Sequence, residues 1–222
     1  MPDTVKTPVV LKNTLVEWTL ALCAAAVGVG LCMVLFKLRD RPYSAYSFNK
    51  AAALTGVALV LTAIALGCVF RILALKWAIR YRRPLGILAV VLAITHACLS
   101  VFYLSDRYDW GYYAQNWEAL LYGFLALIGF ALLWLTSYAF AHRRIRGASW
   151  KRLQNSVYIL LGLALLHFGH LGKPRCWLDW LEHPKGVPPL SLMLFSCMVV
   201  IIVIRLLEPL IKGNGTTPEN DS

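Results

Sequence analysis

Charged residues are scarce in this chain: they make up 15% of its 222 residues, whereas hydrophobic residues make up 59%. A soluble domain carries about 25% charged residues, so this composition argues against a soluble protein and predicts a membrane protein. Acidic residues are rarer than basic ones, with 11 Asp and Glu against 22 Lys and Arg. Most basic residues flank apolar segments, where they set membrane topology, so the net charge of +11 does not indicate nucleic-acid binding.

Several motifs that carry redox or metal chemistry in soluble proteins are missing. The six cysteines form no Cys-x-x-Cys pair, and five lie in apolar stretches, so we predict neither a disulfide framework nor a cysteine metal site. No Gly-x-Gly-x-x-Gly motif follows a predicted strand. We therefore expect that no domain of this chain binds FMN, FAD or a nicotinamide, and that the chain does not itself take hydride from NAD(P)H.

Long apolar runs stand in place of these motifs. A hydrocarbon core about 30 Å thick is crossed by about 20 helical residues, and six segments qualify: 15–36, 52–72, 85–104, 118–140, 153–172 and 189–207. We predict an all-α membrane protein, a bundle of six transmembrane helices over residues 15–208. Residues 1–14 are predicted to form an N-terminal cytoplasmic tail, and residues 209–222, rich in Gly, Thr and Asn, a flexible C-terminal tail.

Basic residues in the loops predict the orientation of the bundle. The loops after the second and fourth segments are strongly basic, whereas the loop after the third holds one cation, Arg107, against two aspartates. Because cytoplasmic loops carry the excess of Lys and Arg, both termini are predicted to be cytoplasmic. One loop disagrees, since the stretch joining the first two segments holds Lys37, Arg39, Arg41 and Lys50 on the predicted outer side.

Two histidines lie deep in apolar segments. His96 comes 13 residues after Arg83, and His167 comes 15 residues after Arg152, so both lie roughly 20 Å from the basic inner edge on helices that run in parallel. An ionisable side chain at such a depth is by default a functional-site hypothesis. Two imidazoles at one depth could hold a b-type heme as its two axial ligands, and such a heme passes single electrons.

Other interpretations of these histidines remain open at this point. Each could instead be a hydrogen-bonding residue between helices, and His170, one turn beyond the second histidine, is a rival ligand. Covalent attachment of a heme is excluded because no Cys-x-x-Cys-His motif is present. Ala89, Ala93 and Ser100 share the face of His96 at helical spacing, which favours an apolar slot for a flat ring.

Two stretches resemble the ferric reductase-like transmembrane domain family. They are Tyr81-Arg-Arg-Pro-Leu-Gly-Ile-Leu followed by Thr95-His96, and Trp150-Lys-Arg-Leu-Gln-Asn-Ser-Val-Tyr followed by Leu166-His167-Phe168. Motif spacing, helix order and loop charge are most similar to the MsrQ-type branch, the heme-binding membrane subunits of a periplasmic methionine sulfoxide reductase system. The resemblance covers about residues 52–172. It implies six helices, a b-type heme ligated by His96 and His167, and electron transfer across the membrane.

The chain departs from that family at the inner heme site. Gln154 stands where the family has the first histidine of its fifth helix, and Arg82 stands where two-heme members of the wider superfamily have another histidine. Neither side chain is a good iron ligand, so we predict one heme b and regard a second as doubtful. Arg82, Arg83 and Gln154 are candidates instead for an inner cofactor, quinone or lipid-headgroup site.

The predicted function is that of an electron-transfer subunit of an oxidoreductase system in the bacterial inner membrane. Surrounded by membrane lipid, it would take electrons from the quinone pool or a separate reductase and pass them to a periplasmic redox protein docked near the loops of Trp110 and Trp177. The heme propionates would turn outward, where Arg107, Lys173 and Arg175 are candidate partners. The alternative, which the missing inner-site histidine favours, is a redox-inactive membrane scaffold or assembly subunit with degenerate heme sites.

Overall fold

The computed structural model describes residues 8–39, 41–137, 147–171, 173–184 and 186–213, and this part of the chain is helical without strands. It contains nine α-helices: α1 (Pro8–Lys37), α2 (Ala45–Leu73), α3 (Lys76–Cys98), α4 (Trp110–Gln115), α5 (Trp117–Thr136), α6 (Gly147–Asn155), α7 (Val157–His170), α8 (Lys173–Glu182) and α9 (Leu190–Gly213). A π-helical turn, Leu99–Tyr103, continues α3. The predicted all-α class is confirmed for these residues.

Four helices are long and apolar enough to cross a membrane: α1, α2, α3 with its π turn, and α5. The segment predicted at 153–172 is broken, because α6 ends at Asn155 and α7 has only 14 residues, about 21 Å of helix. It becomes a fifth candidate span only together with α8, to which it is bent by 71°. The segment predicted at 189–207 lies in α9, whose apolar part is the shorter Leu190–Ile204. Six spans and cytoplasmic termini stay predictions.

Several helix boundaries differ from the predicted ones. α1 begins at Pro8 and not at 15, so part of the predicted N-terminal tail is helical, and α3 begins at Lys76 and not at 85. α2 begins at Ala45 and not at 52, because the Ser44 hydroxyl caps it by accepting a hydrogen bond from the Ser47 amide at 3.2 Å. The polar residues 45–50 are therefore helical. α9 continues to Gly213, past the predicted boundary at 208, so the first residues of the predicted tail are helical too. Residues 214–222, like residues 1–7, lie outside the described part.

A short amphipathic helix, α8, occupies part of the stretch that was expected to be a loop. Its Trp177 is buried, with 6% of the side chain exposed. The Trp177 indole donates a hydrogen bond to the Ser191 hydroxyl at 3.0 Å and packs on Phe195 with 4.6 Å between ring centroids. This side chain therefore anchors α8 to α9, while the prediction that a partner docks near Trp110 and Trp177 stays a prediction. Trp110, by contrast, is 88% exposed.

The most extensive packing is between α2 and α3 and between α5 and α7. α2 lies against α1, α3 and α9, whereas α5 packs chiefly against α7, and α9 contacts both α2 and α7. Gly56 allows α2 to approach α3 closely, because a Cβ there would lie 3.3 Å from the carbonyl oxygen of Ala89. Arg39, one of the cations in the loop that disagreed with the topology, donates to the carbonyl oxygens of Val187 and Pro188. It thereby ties the end of α1 to the segment before α9.

Candidate functional site

A cavity of about 690 Å³ lies between the pairs α2–α3 and α5–α7. This volume falls within the range of roughly 300–1,000 Å³ that small-molecule sites occupy. Its walls are mostly apolar, and small residues supply many of them: Ala53, Gly56, Ala89, Ala93, Ala97, Ser100, Gly123, Ala126 and Ala164. The face predicted from the spacing around His96 is therefore one wall of this cavity. Four aromatic residues, Tyr108, Tyr112, Tyr113 and Trp117, line its other part.

His96 lines the cavity from α3 and is held from behind by α2. Its Nδ1 lies 2.9 Å from the Oδ1 atom of Asn49, a fully buried side chain. The Asn49 amide nitrogen donates in turn to the Ser100 hydroxyl at 2.9 Å, which leaves the amide oxygen facing His96. An amide oxygen only accepts, so the Nδ1 of His96 carries the proton and donates. The lone pair of the ring is then on Nε2, the nitrogen that a metal would need.

His167 lines the same cavity from α7 and leans on the backbone of α5. Its Nδ1 lies 2.7 Å from the carbonyl oxygen of Ala119, so Nδ1–H donates and Nε2 again carries the lone pair. This contact requires a glycine one turn along α5. A Cβ at Gly123 would lie 2.7 Å from Nδ1 and 3.0 Å from Cε1 of His167. The glycine on the facing helix α5 therefore leaves the space that this imidazole occupies.

The two imidazoles form a matched pair across the cavity. His96 and His167 both line it, one from α3 and the other from α7. Within the described residues, α3 and α7 are not among the closely packed helix pairs, so the space between the two histidines is cavity. No group of three or more His, Cys, Asp or Glu side chains in that part of the chain could hold a bare metal ion. Two neutral imidazoles instead suit an iron whose other ligands come from a porphyrin.

His170, the rival ligand, is directed elsewhere. Its Nδ1 donates to the carbonyl oxygen of Leu166 at 2.9 Å, and its Nε2 lies 3.2 Å from a carboxylate oxygen of Glu118. The ring also packs on Tyr122 with 5.1 Å between centroids. His170 is exposed and is not among the residues that line the cavity. This placement favours His167 over His170 as the group that faces a ligand.

The residues proposed for an inner site lie on different helices. Arg82 donates from Nε to the carbonyl oxygen of Ala63 on α2 at 3.1 Å, and its guanidinium lies against Gly67, where a Cβ would be 3.0 Å away. Arg83 follows it on α3 and is exposed. Gln154 lies on α6, which packs on α7, and its amide nitrogen is buried with no hydrogen-bond partner among the described residues. Arg82 is thus engaged with α2, whereas Gln154 carries an unsatisfied donor.

Of the proposed propionate partners, Arg107 lies beside the aromatic part of the cavity wall. Its guanidinium carbon is 3.8 Å from the centroid of the Tyr46 ring, and the Lys50 ammonium is 4.1 Å from the same centroid. Tyr46 in turn packs on Tyr108, which lines the cavity. Burial, together with the neighbouring Tyr46 and Tyr112, raises the pKa of Tyr108 above its usual range. Arg107 itself is exposed and is not among the lining residues.

The other two proposed cations lie on α8. Arg175 is exposed there. Lys173 begins the helix, and its side chain lies outside the described residues.

Sequence reasoning missed three residues of this site: Asn49, Lys50 and Gly123. Asn49 and Lys50 were assigned to a loop because the apolar segment was taken to begin at 52, whereas α2 begins at Ala45. The signal available in the sequence was Ser44, a residue type that often caps the start of a helix. Gly123 gave no local signal, because its importance depends on which side chain of α7 lies opposite.

One comparison with known proteins bears on this site. Residues 51–165, just over half of the chain, match the family model described as ferric reductase like transmembrane component. The matched segment includes His96 and Gly123, begins two residues after Asn49 and ends two residues before His167. It therefore covers α3 and α5 completely, and most of α2 and α7.

Proposed function

Because this chain belongs to the ferric reductase-like transmembrane component family, we propose that it is a membrane electron-transfer subunit that holds one b-type heme between His96 and His167. It passes electrons to a periplasmic acceptor from a quinol or from a separate reductase. We further propose a bundle of six transmembrane helices with both termini in the cytoplasm of a bacterium. Within the family we place it with the MsrQ-type branch, on the motif spacing around the two histidines.

One observation carries this proposal: two imidazoles line one apolar cavity, each with its Nδ1 engaged by an acceptor and its lone pair on Nε2. Metal-ligating histidines characteristically donate their other ring N–H to an oxygen acceptor in this way. The cavity wall fits a flat ring, because small residues supply much of it and Gly123 leaves room where a Cβ would touch His167. When bound, heme supplies the iron couple that accepts and releases single electrons.

The remaining residues would orient the group and exclude water. Apolar side chains around the ring would keep the site dry, and Asn49 and the Ala119 carbonyl would hold the two imidazoles in their ligating orientation. The anionic propionates would turn toward the aromatic part of the wall, where Arg107 and Lys50 flank Tyr46. This adds Lys50 to the partners expected from the sequence. A bound carboxylate would stabilise the positive charges of Arg107 and Lys50, which otherwise repel each other.

The proposed electron donor is a molecule in the membrane and not a domain of this chain. We propose a quinol in the bilayer as donor, with Arg82, Arg83 and Gln154 as candidates for a quinone or lipid-headgroup site at the inner end. The amide nitrogen of Gln154, which is buried and has no hydrogen-bond partner among the described residues, supports a polar ligand there. The test is to add a reduced quinol analogue to the protein in nanodiscs and follow the heme bands. No reduction by quinol, together with rapid reduction by a soluble flavin reductase, would contradict this donor.

Axial ligation is tested by replacing His96, His167 and His170 singly by alanine and measuring heme per chain and the visible spectrum in detergent. We expect the first two variants to lose the low-spin spectrum. His170→Ala is the matched control, since His170 contacts Glu118 and not the cavity. Loss of heme in His170→Ala alone would move the ligand one turn outward. A wild-type protein without a Soret band would instead support the redox-inactive scaffold.

A further inference from the structure

Asn49 is a polar side chain with no solvent-exposed surface inside a helix that is long and apolar enough to cross a membrane. A buried polar group must be hydrogen-bonded, and an unpaired one is strongly unfavourable in such a place. Asn49 meets this requirement with two contacts on α3 and its π turn: Oδ1 with His96 Nδ1 and Nδ2 with Ser100 Oγ, both at 2.9 Å. Both polar atoms of the side chain are thus hydrogen-bonded, Oδ1 to the imidazole and Nδ2 to the hydroxyl.

The order of these two contacts decides which nitrogen of His96 can bind a metal. With the amide nitrogen on Ser100, the amide oxygen faces Nδ1 and requires a proton there, so Nε2 keeps its lone pair. With the amide turned over, its NH₂ group would face Nδ1 and drive the proton to Nε2, which could then not ligate. In the arrangement that the structure shows, Ser100 Oγ accepts from the amide nitrogen of Asn49, and the amide oxygen that then faces Nδ1 selects the tautomer of His96.

We infer that Asn49 is a positioning residue that selects the ligating tautomer of His96 and sets the reduction potential of the heme, an inference that rests on the proposed function. A neutral amide oxygen is a weaker acceptor than a carboxylate, so it withdraws the Nδ1 proton only slightly and leaves the imidazole a moderate donor to iron. A stronger acceptor makes the ligand more basic and favours ferric iron. Removing the acceptor weakens donation and favours ferrous iron.

The experiment compares Asn49→Leu, Asn49→Asp and Ser100→Ala with the wild type in detergent. Heme per chain, the rate of heme transfer to apomyoglobin and the midpoint potential are measured for each. We expect Asn49→Leu to speed heme loss roughly 10- to 100-fold. At a fixed potential it should also raise the ratio of reduced to oxidised heme about tenfold, which is ~59 mV for a one-electron couple.

Asn49→Asp should shift the potential in the opposite direction while retaining heme, because a carboxylate of nearly the same volume still accepts from Nδ1. Ser100→Ala should shift it in the direction of Asn49→Leu by a smaller amount. Thr55→Val is the matched control. Thr55 is a buried polar residue on the same helix, but it contacts Cys32 and Gly28 of α1 and does not line the cavity. Its variant should keep the wild-type potential.

Different results would overturn the inference about Asn49 and the proposed function on which it rests. A wild-type protein without heme would overturn the function, whatever Asn49 does. If the wild type binds heme and His96→Ala abolishes binding, but both Asn49 variants keep the wild-type potential and rate of heme loss, the inference about Asn49 is overturned while the function stands. Should Asn49→Leu fail to fold, Asn49→Asp alone still decides, since an unchanged potential in that variant would contradict the hydrogen bond to the ligand.

Discussion

A single methyl group added at Gly123 should loosen heme from this protein. In Gly123→Ala, the new Cβ would stand 2.7 Å from Nδ1 of His167 and 3.0 Å from its Cε1. The shortest contact must open to an ordinary 3.4 Å or more, so the ring has to move about 0.7 Å away from α5. That movement also stretches the 2.7 Å hydrogen bond from Nδ1 to the Ala119 carbonyl.

The size of the effect follows from these two changes. Turning the imidazole about 30° away from its rotamer costs about 0.5–1.5 kcal/mol. Losing the hydrogen bond to Ala119 costs about 0.5–1.5 kcal/mol more. Together they come to roughly 1–3 kcal/mol, which corresponds to a heme affinity about 5- to 150-fold lower.

The assay is heme per chain and the rate of heme transfer to apomyoglobin, with the visible spectrum as a check on the ligand set. Gly162→Ala is the control, because Gly162 lies on the same helix as His167 and a Cβ there meets nothing within 4 Å. The control should bind heme like the wild type and gain about 1 kcal/mol of helix propensity. If Gly123→Ala retained heme as well as Gly162→Ala does, with unchanged bands, the contact between Gly123 and His167 would not position a ligand.

Three further predictions concern other parts of the chain. Gln154→His should raise heme stoichiometry above the one per chain expected for the wild type, because it restores the family's missing histidine; a measured two hemes in the wild type would contradict the vacant inner site. Gly129→Ala should lower the melting temperature, since its Cβ would overlap the Leu160 side chain and overpacking costs about 1–3 kcal/mol; Gly86→Ala, whose Cβ meets nothing, is the control. Burial raises the pKa of Tyr108, so the unfolded chain ionises first and the stability due to Tyr108 is lost as pH rises past about 10. Tyr108→Phe should flatten the fall in melting temperature above that pH, and an equal slope in both proteins would argue against a buried Tyr108.

The helical class and the paired histidines followed from patterns that a sequence displays directly. Scarce charge and long apolar runs predicted helices, and equal depth on parallel segments predicted that His96 and His167 share one site; the structure brings both to one cavity. The features that could not be predicted depend on contacts between helices. Asn49 was missed because it lies in the polar first turns of α2, which have the composition of a loop. Only the cap at Ser44 marks these residues as helical.

The burial of Trp177 could not be predicted for a related reason. An aromatic residue near an apolar segment is typical of an interface, and only the packing of α8 on α9 shows that its ring is buried. Gly123 likewise gains its role only from the side chain opposite, which no pattern along one helix displays.

Each proposed heme ligand is hydrogen-bonded within its own helix pair: His96 to Asn49 in α2–α3, and His167 to Ala119 in α5–α7. Between these pairs lies the cavity, with α9 touching both α2 and α7. Each pair therefore holds its own imidazole through a hydrogen bond that does not involve the other pair. If heme is bound as proposed, it links the two helix pairs in addition to α9 and the packing of α3 on α5, so the protein without heme should be cut faster by an added protease than the protein with heme.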